Sequence, residues 1–209
     1  MSEEVTESKM QQVLSFAYDK AVNGVAGLDS ATELAESYKN DDCLHGQCNS
    51  LIRWQNTKAG TSGFVTGLGG LPFMPVTLPA NITSVLYVQI RMIAAIAHLA
   101  GHDLKDDKVK SMVYVCLVGS GAVEILKNAG VEVGKKVAIN AIKNISGKVI
   151  TQINQKVGFR LVTKFGEKGI INLGKAVPIL GGLIGGTVDT ISTNIVGNTA
   201  RDLFAGKNT

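Results

Sequence analysis

Between residues 67 and 100 the chain reads GLGGLPFMPVTLPANITSVLYVQIRMIAAIAHLA, and this stretch restricts the fold more than any other. Gly costs about 1 kcal/mol against Ala inside a helix, so the GLGG run at 67–70 ends whatever helix precedes it. Pro72 and Pro75 push Leu71 and Met74 towards extended backbone, which predicts a stiff apolar loop. Pro79 suits the first position of a helix, where a missing N–H is harmless. From Ile82 onward Val85, Leu86, Ile90, Ile93, Ala94 and Ala97 are apolar, and Val88, Met92 and Ile96 fill the other sides. A helix apolar nearly all round is a buried helix. Gln89, Arg91 and His98 interrupt the run, and a bilayer span needs about 20 predominantly apolar residues. The segment is therefore expected to be a central core helix of a soluble or peripheral protein.

Its neighbours follow the same period. Residues 7–22 place Val13, Leu14, Ala17, Tyr18 and Ala21 on one face. Ser30 and Glu33 form a capping box that opens a short helix to about Tyr38. Residues 43–64 set Leu44, Cys48, Leu51, Ile52, Gln55 and Ala59 on one face. A second mostly buried helix is predicted over 108–128, a basic amphipathic one over 131–145 and another over 148–165. The last is expected to start at Pro178 and run to about Phe204. Sustained alternation with hairpin turns occurs nowhere. The expected fold is all-α, a single multi-helix bundle of about eight or nine helices, two or three of them largely buried. It spans residues 1–209 as one domain, with residues 1–40 as an N-terminal helical appendage.

Composition narrows the setting. Charged residues make up 18% of the chain and aromatics 5%, against 45% hydrophobic. Charge is thus leaner than the usual ~25%, which keeps a membrane-surface or partner role open. The start, MSEEVTESKMQQ, has neither a basic nor an apolar region and does not read as a secretory leader. Three cysteines give no even disulfide framework, consistent with a reducing cytoplasm. The expected location is cytoplasmic, peripheral at the membrane.

Several groups of residues are candidates for chemistry. Arg91 on a buried helix needs a partner, because an unpaired buried charge is very costly. Asp189, on the apolar last helix, is the expected partner, and with Gln89 the three make a candidate polar cluster. Lys156, Arg160 and Lys164 recur at i, i+4, i+8 and form a candidate anionic-lipid face. Aromatic interleaving is too thin there for nucleic acid. His98 and His102 have a metal-like spacing without the glutamate of a catalytic zinc motif, and Cys43-Leu-His45-Gly-Gln-Cys48 lacks a second thiol pair. No metal or other cofactor is assigned. Gly181, Gly182, Gly185 and Gly186 give two overlapping small-xxx-small spacings that suit close helix packing.

LIRWQ at 51–55, TSGFVTGLGG at 61–70, LPAN at 78–81, NQKVGFR at 154–160, the Tyr87-x-Gln89-x-Arg91 core of the central helix and the segment from Pro178 to Asp189 together resemble the EcsC protein family. The resemblance runs from about residue 20 to the end. The family is bacterial and takes its name from an operon with an ABC transporter. What it implies is a shared fold and a shared Gln89, Arg91 and Asp189 cluster, with no catalytic motif to carry over.

Three functions follow as expectations. The first is a non-enzymatic cytoplasmic protein acting at an anionic membrane surface or on a membrane-transport partner. The second is a hydrolase of a lipid or apolar substrate working through Gln89, Arg91 and Asp189. The third is a membrane-active, toxin-like module. Oligomeric state is left open.

Overall fold

A computed structural model of the protein describes residues 6–25, 27–59, 80–131, 142–165 and 184–206; at 58, 59, 80–82 and 184–190 the backbone alone is described. Among the described residues there are eight α-helices and no strand, the fold class expected. They are α1 Glu7–Asn23, α2 Ala31–Glu36, α3 Leu44–Ala59 and α4 Ala80–Leu99. After them come α5 Asp107–Leu117, α6 Ala122–Asn128, α7 Gly147–Phe165 and α8 Ile184–Phe204.

Capping chemistry explains where several of them begin and end. Thr6 and Asp106 each accept from a backbone N–H of the first turn of α1 and α5. At α2 both bonds of the capping box are present: Glu33 N–H donates to Ser30 Oγ at 3.2 Å, and Ser30 N–H donates to Glu33 Oε2 at 2.8 Å. Gly101, at φ 84°, stops α4 with a paired closure in which Gly101 N–H donates to His98 O and His102 N–H to Ala97 O.

α4 is the axis of the bundle. Every residue from Leu86 to Ala97 is buried, as an all-round apolar helix should be. α1, α2, α3, α5 and α8 all pack against it. Within residues 1–40, expected from the sequence to be an N-terminal helical appendage, Met10, Val13, Leu14, Ala17, Leu34 and Ala35 belong to the same core.

α3 and α8 run antiparallel, pinned at one end by Arg201 Nη1 donating to Asn49 Oδ1 at 2.6 Å and at the other by Asn56 Nδ2 donating to Asn194 Oδ1 at 2.9 Å. Between these pins Gly197 removes the side chain that would hold α8 away. A Cβ there would meet Ile52 Cγ1 at 2.9 Å and Met92 Cε at 3.1 Å.

The helix expected over 108–128 is in fact two. Gly119 adopts φ 68°, which a right-handed helix cannot continue through, and residues Gly119–Gly121 turn as a short 3-10 segment. α8 passes at this break, where a Cβ on Gly119 would lie 2.9 Å from Ile195 Cγ2. The Pro loop, most of the 131–145 helix, the Pro178 start and the Gly181–Gly182 half of the small-residue spacings fall outside the described residues.

Candidate functional site

The C-terminal ends of α7 and α5 meet the middle of α8, where Lys164 reaches both Leu117 and Ser192. A polar network crosses the packed helices there. Gln89 of α4 is fully buried, and its Nε2 donates to Ser192 Oγ at 3.2 Å and Thr193 Oγ1 at 3.4 Å on α8. Lys164 of α7 reaches the same Ser192 Oγ at 3.4 Å and donates also to Leu117 O at 3.4 Å. Leu117 is the last residue of α5, so the ammonium sits on the carbonyl end of a helix, where the backbone dipole favours a cation. Burial holds its pKa below the usual lysine range. Two buried amides carry groups with no partner among the described residues: Gln89 Oε1, and both ends of Gln55 on α3.

Arg91 faces another way. Two residues on from Gln89, it is turned by about 200° around α4. Its guanidinium is buried, donates from Nη1 to Asp29 O at 3.1 Å and lies 5.9 Å from the centroid of the Tyr87 ring. The charge is thus held by a loop carbonyl and an aromatic face, and among the described residues no carboxylate pairs with it. Burial raises the Tyr87 hydroxyl pKa and the Arg91 charge pulls it back. What Arg91 does physically is tie the link between α1 and α2 to the axis of the bundle. The structure therefore does not bring Gln89 and Arg91 together. Asp189 lies in α8, one turn ahead of Thr193, and its side chain is outside the described residues.

The three basic residues of α7 also part company. Lys156 and Arg160 are exposed, whereas Lys164 turns inward to α5 and α8. A step of four residues winds about 40° around a helix, so two steps carry the row about 80° off the outer face. Arg160 Nη2 meets Glu124 Oε2 at 3.2 Å, and Lys156 Nζ donates to Asn128 O at 3.4 Å, at the end of α6. An open groove of about 480 Å³ lies here, bordered by Glu7, Glu124, Asn128, Lys156, Phe159 and Arg160.

The imidazoles of His98 and His102 are separately engaged: His98 Nε2 lies 3.4 Å from Glu36 Oε1, and buried His102 stands edge-on to Phe204. Cys43 is exposed, while Cys48 and Cys116 are buried thiols. Burial pushes the Cys48 thiol up to about 11.

Together these features define an all-helical protein built round one buried helix whose polar side chains tie it to its neighbours. The family model of the EcsC protein family matches residues 2–205, nearly the whole chain, and the protein belongs to that family. No curated protein and no solved structure matches it.

Proposed function

We propose that this is a non-enzymatic helical protein that acts at the membrane surface or on a membrane-transport partner, from a cytoplasmic location. The observation that carries the reading is on α8. Ile191 and Ile195, 56% and 45% exposed, stand one turn apart on its outer side, opposite the buried Thr193, Val196 and Ala200. Adjacent branched apolar side chains on an outer ridge suit insertion at the headgroup boundary of a bilayer. No helix among the described residues is long and apolar enough to cross a membrane, so the contact proposed is peripheral. Lys156 and Arg160 are two exposed cations that would meet anionic headgroups. An exposed ion pair contributes only about 0–1 kcal/mol, so Arg160 exchanges Glu124 for a phosphate at little cost.

The hydrolase alternative draws on Gln89, whose Oε1 has no partner among the described residues. Weighing against it, Gln89 and Arg91 are both buried and serve different flanks of α4, and neither lines the groove beside α7.

Co-sedimentation with vesicles of neutral lipid, and of neutral lipid doped with anionic lipid, tests the proposal. The wild-type chain is expected to pellet, more strongly with anionic lipid. Ile191→Ser/Ile195→Ser is expected to stay in the supernatant, and Lys156→Glu/Arg160→Glu to lose the anionic preference. A wild-type chain that remains in the supernatant with both vesicles sinks the membrane-surface reading. Release of a trapped dye marks the toxin-like reading in its place.

A further inference from the structure

We propose that the groove between α6 and α7 is a self-association surface, and that a second copy of this chain docks there about a two-fold axis. Phe159 stands at its edge, 60% exposed, on the side of α7 away from the buried Ile153, Val157 and Leu161. Aromatic side chains are enriched at the centres of protein interfaces, and a lone exposed Phe beside an open hollow is the shape one copy offers to another. The hollow, about 480 Å³, has room to receive an aromatic side chain from the opposite copy.

The charges around it choose the occupant. The border carries two acids, Glu7 and Glu124, and two bases, Lys156 and Arg160. The patch is therefore neutral in a chain whose formal net charge is +4. A nucleic acid or an acidic protein would be met by a surplus of cations. A two-fold interface must instead be complementary to itself, which requires both signs on one patch, and this patch carries both. The existing Arg160–Glu124 pair is exposed on both sides, so its members are free to pair across the axis at little cost.

Sedimentation equilibrium of the full chain across micromolar concentrations tests this. The wild type is expected to show a monomer–dimer equilibrium, and Phe159→Asp to weaken it by about tenfold or more. Two charge variants sharpen the test. Lys156→Glu/Arg160→Glu makes the patch wholly acidic, and Glu7→Lys/Glu124→Lys makes it wholly basic. Each alone is expected to be monomeric, while an equimolar mixture associates. Circular dichroism checks that each variant keeps its helices; all four charged residues are exposed. A wild type that stays monomeric, Phe159→Asp that dimerises like the wild type, or a mixture that does not associate overturns the proposal. Lys156 and Arg160 belong to both proposals, so the variants that separate them are Phe159→Asp, which bears on self-association alone, and Ile191→Ser/Ile195→Ser on α8, which bears on vesicle binding alone.

Discussion

Gly197→Ala puts the packing of α3 against α8 to a quantitative test. In a helix interior the exchange alone would stabilise by up to about 1 kcal/mol. Here the new methyl would stand 2.9 Å from Ile52 Cγ1, 3.0 Å from Ile52 Cγ2 and 3.1 Å from Met92 Cε. Met92 can swing its terminal methyl aside. Ile52 cannot, because both Cγ atoms are fixed to a branched Cβ on a buried helix face. Adding a methyl to a filled core costs about 1–3 kcal/mol, and offset by a helical gain of about 1 kcal/mol the expected net loss is about 0–2 kcal/mol. For a chain of this size that lowers Tm by up to about 8 °C in a thermal melt followed by circular dichroism. The contact is isolated by repeating the exchange in an Ile52→Ala background, where the two Cγ atoms are gone and Gly197→Ala should be neutral or stabilising. An equal loss in both backgrounds would refute the steric argument, and a gain in the wild-type background would refute it more directly.

Other outcomes are expected from the same coordinates. Gln55 is fully buried with neither end of its amide partnered among the described residues, so Gln55→Met should raise stability by about 1–3 kcal/mol in urea unfolding. A loss of that size would mean the amide is satisfied. Ser30→Ala removes the acceptor for Glu33 N–H, one of the two bonds of the capping box, and should cost about 1 kcal/mol by the same measurement. Lys164 has a folded pKa below the ordinary 10.5, so the unfolded chain binds more protons in the window between the two values. Its penalty is complete below the folded pKa and is relieved as pH rises through it, so the lysine contributes a rising slope of stability with pH in that window. Stability of the wild type minus that of Lys164→Met, measured stepwise up to pH 10, should therefore increase; a flat difference contradicts the burial of the ammonium. Under native conditions a thiol reagent should modify Cys43 rapidly while Cys48 and Cys116 wait for unfolding, and rapid reaction of more than one thiol would show that the core opens readily.

The helical architecture was open to reading because the residues that decide it act locally. Ser30 and Glu33 satisfy each other's backbone groups within one turn, and the structure contains both bonds. The nearly all-round apolar circumference of α4, interrupted by Gln89 and Arg91, needs no knowledge of its neighbours to be recognised as buried. The split at Gly119 was harder to see, since a glycine inside an apolar run is compatible with a continuing helix. What the break accommodates is a contact from far along the chain: Ile195 lies beside Gly119. Gly197 is a similar case, because the close approach it permits depends on Ile52 and Met92. Its role is invisible until three helices are placed.

The candidate site divides along the same line, and for a geometric reason. Gln89 and Arg91 are neighbours in the sequence, and their shared position in the middle of a greasy helix invites a single explanation. The helix turns about 100° per residue, so two positions apart is close to opposite. Gln89 then meets the hydroxyls of α8, and Arg91 meets the carbonyl of Asp29 and the ring of Tyr87. Gln89 marks the interface with α8 and Arg91 the contact with the α1–α2 link, and their joint appearance reflects how many neighbours α4 has. The row of Lys156, Arg160 and Lys164 errs in the opposite direction. There a regular spacing suggests one face, yet the drift of about 40° per step carries its last member into the interior. Lys164 exchanges solvent for the carbonyl end of α5 and the hydroxyl of Ser192, which Gln89 also reaches. Polar residues on buried or winding faces thus report contacts inside the bundle, and the two proposals above rest instead on the exposed Ile191, Ile195 and Phe159.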